Sequence, residues 1–224
     1  MSIAIDWRYY ICGGLGMVWL LVPGQVAAGV IFNTLEEPYD IYELPADVPT
    51  GYSLYGELVG YPDTYQFTLT ATTSIMTRLY AVDQTVAGPL FSSILVADEG
   101  NRGVREVSRM TARSLVWSEY QDPMTKMRYQ RSDEQTVVVG PGTYRLEVST
   151  PDNEGAYRFD VVGERLERPG YWSRLTQIRA VQAFHGYGWW HLLRTSVIVT
   201  PLVFFVLVVG MIATWHYARR RRLV

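Results

Sequence analysis

The segment from Ser196 to Tyr217 constrains the fold more than any other feature of the sequence. It contains 22 residues without an acid, a lysine or an arginine, and His216 near its end is its one basic side chain. About 20 apolar residues in a helix are enough to cross the hydrocarbon core of a bilayer, and Pro201 near the start is tolerated there. The sequence therefore predicts one C-terminal transmembrane helix, over residues 192–218.

The charges and aromatic residues around this segment predict its orientation. Four arginines follow it directly: Arg219, Arg220, Arg221 and Arg222. Arginines mark the cytoplasmic end of a membrane helix, so residues 219–224 are predicted to be a basic cytoplasmic tail. Trp189 and Trp190 then lie at headgroup level on the opposite side. We interpret the arginines as a topology signal, with binding of anionic lipid as the alternative.

The N-terminal residues 1–28 have the pattern of a signal peptide. Arg8 precedes an apolar run of 14 residues, and small residues near Ala28 offer a cleavage site. An uncleaved anchor is the alternative, although the run is shorter than a spanning helix requires. Cleavage would remove Cys12, the only cysteine, and leave no disulfide or thiol chemistry. These features predict a single-pass protein of the bacterial inner (cytoplasmic) membrane whose main domain is extracytoplasmic, in the periplasm.

The near-neutral total charge covers two regions of opposite sign. Residues 29–165 contain 11 basic and 20 acidic residues, a net charge of −9, whereas residues 166–224 contain 8 arginines and 1 glutamate, a net charge of +7. Because nucleic acid binding needs a basic face, the acidic region argues against a nucleic-acid partner.

Alternation of apolar and polar residues dominates the acidic region. In Thr64–Ala71, one face carries Tyr65, Phe67 and Leu69, which is typical of a half-buried strand. Turn residues separate this segment from similar ones, spaced about ten residues apart. The pattern predicts a mainly β fold, an antiparallel β-sandwich over residues 29–165. The other predicted strands are 52–60, 76–82, 91–97, 105–109, 127–130, 134–139, 143–150 and 156–163.

Residues 50–163 resemble the bacterial pre-peptidase C-terminal-like domains. The resemblance is carried by Gly56, Leu58, Asp63, Tyr65, Phe67 and Leu69, by Leu95–Gly103, and by Pro141–Val148 with Tyr157–Val161. The insertion from Glu106 to Ser132, which contains Trp117, departs from the family pattern. The resemblance implies a jelly-roll sandwich with a role in binding or support rather than catalysis. Some members of that family bind calcium or matrix polymers.

Residues 166–191 are predicted to form a juxtamembrane segment with an amphipathic helix that ends near Gly186. Its apolar stripe recurs every three residues, at Trp172, Leu175, Ile178 and Val181. Such a helix either packs beneath the sandwich or docks on a membrane partner, and the two interpretations are compatible. The predicted interface with partner and membrane therefore consists of these four residues together with Trp189 and Trp190.

The candidate chemical groups do not form a recognisable site. His185 and His191 are six residues apart across helix-breaking glycines, which does not suit a metal or haem pair. Calcium has two candidate clusters, neither of which has the order of a calcium loop. They are Asp98, Glu99 and Asn101, and Asp152, Asn153 and Glu154. We therefore predict no catalytic residue, no cofactor and no small-molecule substrate.

The sequence leaves three hypotheses about function. The first is a non-enzymatic accessory subunit of a bacterial integral membrane complex, with a photosynthetic or respiratory electron-transfer complex as the candidate partner. The second is a membrane-anchored binding module for calcium, glycan or envelope polymer. The third, a tethered hydrolase, lacks a histidine in the sandwich region to activate a nucleophile, because all three histidines lie at or beyond residue 185.

Overall fold

The computed structural model describes residues 29–33, 37–38, 40–45, 51–82, 89–163 and 170–221, with Arg220 and Arg221 described by their backbone alone. These residues divide into two compact units. The sandwich unit contains the described residues up to 122 and those from 127 to 174. The helical unit contains residues 123–126 and 175–221. The predicted signal peptide lies outside the described residues, so its cleavage stays a prediction.

The sandwich unit consists of two mixed sheets, which confirms the predicted mainly β fold class. Among the described residues, the larger sheet contains β1 (Gly29–Phe32), β3 (Tyr52–Val59), β5 (Thr73–Val82), β8 (Ser118–Gln121), β9 (Arg128–Arg131), β10 (Gln135–Val139) and β12 (Glu154–Val162). The smaller sheet contains β2 (Ile41–Glu43), β4 (Asp63–Leu69), β6 (Ser92–Asp98), β7 (Val104–Met110) and β11 (Gly142–Ser149). The strand orders are β1-β3-β12-β5-β9-β8, with β10 also paired to β5, and β2-β4-β11-β6-β7.

Most neighbouring strands are antiparallel, as predicted, but two pairs at sheet edges are parallel. These are β1 with β3, and β2 with β4. The first four strands alternate between the two sheets: β1 and β3 lie in the larger sheet, and β2 and β4 lie in the smaller sheet. The chain therefore leaves a sheet for one strand and then returns to it in its original direction, which makes each edge pair parallel.

The core lies between the two sheets and is formed by the alternate residues of the central strands. Leu54 on β3, Leu146 on β11 and Phe159 on β12 are almost fully buried within it. Phe67 stacks on Tyr144 across the β4–β11 pair, with ring centroids 5.7 Å apart. Burial of each such side chain stabilises the folded state by roughly 1.5–3 kcal/mol. The alternation of apolar and polar residues in the sequence therefore determines which face of each strand packs into the core.

The helices follow the sandwich in the order α1 (Tyr171–Phe184), a 3-10 helix over Trp189–Arg194, and α2 (Ser196–Arg221). We call the 3-10 helix the collar. Gly186 ends α1 in a left-handed conformation with a φ of 75°, which favours glycine. The amide of Tyr187 then donates to the carbonyl of Gln182 at 2.8 Å, the hydrogen bond of a Schellman cap. The predicted helix boundary near Gly186 agrees with this cap.

Candidate membrane and partner interface

α2 is the one helix among the described residues that is long and apolar enough to cross a membrane. The qualifying span is Ser196–Arg219, 24 residues, and only 6% of its most apolar window is buried. Its large exposed side chains occupy all sides of the helix: Leu202, Val203, Phe205, Val206, Leu207, Val209, Met211 and Ile212. A helix that is apolar and uncovered around its circumference matches a hydrocarbon surrounding, so α2 can anchor the chain in a membrane.

The two ends of the span carry exposed aromatic residues. At the C-terminal end, the guanidinium of Arg219 lies 5.5 Å from the ring centre of Trp215, a cation–π contact. The side chains of Arg220 and Arg221, and all of Arg222, lie outside the described residues. The role of these arginines as a topology signal therefore stays a prediction.

The collar precedes α2 and presents two stacked tryptophans. Trp189 and Trp190 are 54% and 63% exposed, and their ring centroids are 3.6 Å apart. Thr195 joins the collar to α2: its hydroxyl donates to the carbonyl of Leu192 at 2.6 Å, and its carbonyl accepts from the amide of Val199 at 3.0 Å. Thr195 is fully buried and links the last turn of the collar to the first turn of α2 through these hydrogen bonds.

The predicted apolar stripe of α1 divides into exposed and buried members. Trp172 is 77% exposed, and Leu175 is half-buried. Ile178 and Val181 are buried, together with Gln182. The two buried members have no surface to offer a partner, so the exposed members of the predicted interface are Trp172, Trp189 and Trp190.

The turn between β8 and β9 belongs to the helical unit, which the sequence did not predict. The side-chain amide of Gln182 donates to the carbonyl of Thr125 at 3.5 Å, and the hydroxyl of Ser196 donates to the carbonyl of Pro123 at 3.4 Å. Met124 and Thr125 are buried. The turn therefore ties α1 to the start of α2 through backbone acceptors. Proline and methionine at its tip are the only sequence signal of this packing.

Arg158 on β12 is the centre of a buried charge cluster in the sandwich unit. It donates to both carboxylate oxygens of Asp160, at 2.8 and 2.9 Å, and to Asp122 at 2.8 Å. Its guanidinium lies 4.5 Å from the ring centre of Tyr80. Burial is the largest single influence and lowers the pKa of Arg158, but Asp160, Tyr55 and Asp122 together outweigh it, so that the pKa of Arg158 is raised. The cluster is satisfied internally and is structural.

A second buried network joins the two sheets. The hydroxyl of Tyr157 donates to Asp63 at 2.6 Å and lies 2.7 Å from the hydroxyl of Tyr65. Burial raises the pKa of the Asp63 carboxyl, although the hydrogen bond from Tyr157 opposes the shift. Gly56 makes room for the network, since a Cβ there would lie 2.5 Å from the Tyr157 hydroxyl oxygen.

The raised pKa of Asp63 predicts a pH dependence of stability. The contribution of Asp63 to the free energy of unfolding is fully present below its unfolded pKa of about 3.9 and is lost as the pH rises through its folded pKa. The melting temperature of the native chain, relative to Asp63→Asn, should therefore rise as pH is lowered from about 7 to about 4. Thermal melts of both proteins over this range test the sign.

Asp152→Asn is a control of opposite sign for this measurement. The hydrogen bond from Thr150 lowers the pKa of Asp152, an exposed residue, so the native chain should lose its advantage over Asp152→Asn as pH falls. If the melting temperature of the native chain relative to Asp63→Asn did not change with pH, or fell in acid, the raised pKa of Asp63 would be contradicted.

The candidate calcium ligands are engaged by the protein. Asp98 accepts from the Gly100 amide at 2.8 Å and from Arg145 at 3.1 Å, and Glu99 accepts from Arg105 at 2.7 Å. Asp152 and Asn153 are held within the β11–β12 turn by hydrogen bonds with Thr150, whose hydroxyl also bonds the amide of Glu154. Within the described ranges, no group of three or more His, Cys, Asp or Glu residues is arranged to hold a metal.

His185 and His191 each contact an aromatic ring. His185 lies edge-on to Phe184, with centroids 5.1 Å apart, and His191 lies edge-on to Tyr187 at 4.6 Å. Both histidines belong to the helical unit, on either side of the glycine-rich turn at 186–188.

Three solved structures are similar to part of this chain, each with a TM-score below 0.5. The pre-peptidase C-terminal domain of collagenase from Bacillus anthracis is 14% identical, with a TM-score of 0.35, covering 58% of this chain and all of that one. A β-glucosidase from Paenibacillus barengoltzii is 8% identical with a TM-score of 0.29, covering 63% of this chain and 14% of that enzyme. CorA, a surface-associated copper-binding protein of Methylomicrobium album BG8, is 9% identical with a TM-score of 0.27, covering 62% of this chain and all of CorA.

These likenesses are low in sequence identity. A pre-peptidase C-terminal domain, the kind of protein that residues 50–163 resemble, is among the similar structures. Neither a protein-family model nor a curated protein matches the chain.

Proposed function

We propose that this chain is a non-enzymatic accessory subunit of a bacterial integral membrane complex. α2 anchors it in the cytoplasmic membrane, and the sandwich unit lies on the extracytoplasmic side. Docking on the partner subunits uses α2 together with the exposed tryptophans at positions 172, 189 and 190. A photosynthetic or respiratory electron-transfer complex is the candidate partner.

The observation that carries this proposal is the exposure of α2. Only 6% of its most apolar window is covered by the rest of the chain, so lipid or other membrane helices must cover the remainder. Trp172 is exposed, as are Trp189 and Trp190, which directly precede the anchor in the sequence, and tryptophan is enriched in the central contacts of protein interfaces. The buried charges of the Arg158 cluster, by contrast, satisfy one another.

The proposal predicts that the exposed tryptophans hold the partner. Gentle detergent extraction of native membranes, affinity recovery of the full chain and mass spectrometry should identify a stoichiometric set of membrane subunits. A variant with Trp172→Ala, Trp189→Ala and Trp190→Ala should lose most of that set, because such residues typically contribute 2 kcal/mol or more each, roughly a 30-fold change in affinity. Val116→Ala, at an exposed valine of the sandwich unit, is the matched control.

Two outcomes would contradict the accessory-subunit proposal. Unchanged recovery of the subunits with the triple variant would show that the tryptophans are not the docking surface. Recovery of the native chain alone would instead favour a membrane-anchored binding module for calcium, glycan or envelope polymer. Ile178 is unsuitable for this test, because its substitution would act through the packing of α1.

A further inference from the structure

The charged side chains of the helical unit are all cations. Residues 123–126 and 175–224 contain no aspartate and no glutamate, whereas Lys126, Arg179 and Arg194 lie before the apolar span and the arginine tail lies after it. Within residues 123–126 and 175–221, the part of this unit that the structure describes, there is therefore no aspartate or glutamate. A surface of this kind is suited to anionic groups supplied from outside.

The collar combines apolar and basic residues within two turns of 3-10 helix. Residues three apart share a face of a 3-10 helix, so Trp190 aligns with Leu193, and His191 aligns with Arg194. Trp190, Leu193 and Arg194 are all exposed. The collar thus presents an aromatic and aliphatic surface next to a guanidinium.

The length of α2 places the collar in the headgroup layer. Its 24-residue apolar span is about 36 Å long, compared with about 30 Å for the hydrocarbon core of a bilayer. Both ends of the span consequently reach the polar boundary. Since Thr195 joins the collar to α2 without a gap, the collar lies where lipid phosphates are found and where tryptophan is enriched.

We propose that the collar binds an anionic phospholipid, in the leaflet opposite the arginine tail. The guanidinium of Arg194 holds the phosphate, for which its paired N–H donors are suited, and the Trp189–Trp190 stack lies against the glycerol and upper acyl region. The cationic charge of Arg194, with no aspartate or glutamate in the described residues 175–221, gives the preference for an anionic over a zwitterionic lipid. This inference rests on the membrane anchoring in the proposed function and adds the lipid as a bound component.

The test compares lipid binding by full-length variants. The purified chain, in non-ionic detergent, is incubated with equal amounts of phosphatidylglycerol and phosphatidylcholine, and the lipids retained are counted by native mass spectrometry. The native chain should retain phosphatidylglycerol preferentially, and Arg194→Gln should lower the ratio about fivefold, the expected effect of one cation near the lipid phosphates. Arg109→Gln, at an exposed arginine of the sandwich unit, should leave the ratio unchanged.

Three further experiments test the lipid site against its alternatives and test the membrane anchoring on which the proposal rests. A variant with all four tail arginines changed to glutamine lacks the basic site in the other leaflet. In this variant, Arg194→Gln should still lower the ratio of phosphatidylglycerol to phosphatidylcholine. A ratio of phosphatidylglycerol to phosphatidylcholine that is unchanged in Arg194→Gln would overturn the lipid site. The lipid site would also be overturned if Trp189→Ala/Trp190→Ala lost the partner subunits but still retained the lipid. Failure of the native chain to float with phosphatidylcholine vesicles would overturn the anchoring itself and, with it, the proposed function.

Discussion

Replacement of Arg158 by methionine is expected to lower the free energy of unfolding by about 3–5 kcal/mol. The change keeps much of the side-chain volume but leaves the buried carboxylates of Asp122 and Asp160 without their counter-ion. It also removes the contact with the ring of Tyr80. A buried carboxylate that loses its partner costs more than the pair contributed, because desolvation is no longer offset.

Urea unfolding of the full chain in detergent, followed by the circular dichroism of the β structure, measures this effect. Arg109→Ala is the control, because Arg109 forms an exposed ion pair with Glu106 and should leave the unfolding midpoint essentially unchanged. Adding Asp122→Asn and Asp160→Asn to Arg158→Met should recover part of the loss, since uncompensated charge is its main cause. An Arg158→Met midpoint equal to that of the native chain would refute a structural role for the cluster.

The substitution Gly56→Ala is expected to lower the free energy of unfolding by about 3 kcal/mol. Its added methyl group would lie 2.5 Å from the Tyr157 hydroxyl oxygen and 2.6 Å from Oδ2 of Asp63, so the hydrogen bond between them must break or the strands must shift. Both responses act inside the core, where displaced side chains have no free volume to enter.

Gly140→Ala is the matched glycine control for this prediction. A Cβ at position 140 would meet no atom within 4 Å, so the same chemical change should leave the urea midpoint almost unaltered. If both glycine variants were destabilised equally, the effect would come from the loss of glycine in general and not from the Tyr157–Asp63 network.

The central strands could be predicted from the sequence because their side-chain alternation is strong. Phe67 on β4, Tyr144 on β11 and Phe159 on β12 all lie on the predicted faces. β1, β2 and β8 were not predicted: each has only three or four residues, too few for alternation to be a strong signal, although the equally short β9 was predicted, as 127–130. The parallel edge pairs depend on how the chain crosses between sheets, which local alternation does not encode.

The site was only partly predictable, because sequence periodicity does not report what covers a face. Trp189 and Trp190 are exposed beside the anchor, where their position before the apolar segment suggested a contact surface. Ile178 and Trp172 belong to the same three-residue repeat on α1, but Ile178 is buried whereas Trp172 is exposed. Arg158 and Asp160 alternate with the core residues of β12 and therefore look like solvent-facing charges, yet both are buried in an ion-pair cluster.

The pairing of β3 with β12 determines when the larger sheet can close during synthesis. Ser53 and Asp160, which form a buried hydrogen bond, are 107 residues apart in the chain. Because the ribosome delivers the N-terminal strands first, β3 has to wait for its long-range partner until nearly the whole sandwich has emerged. During that interval the edge of β3 that will pair with β12 is open to pairing with other chains. α1 and the collar emerge directly after β12, so closure of the sheet and delivery of the anchor fall close together in time.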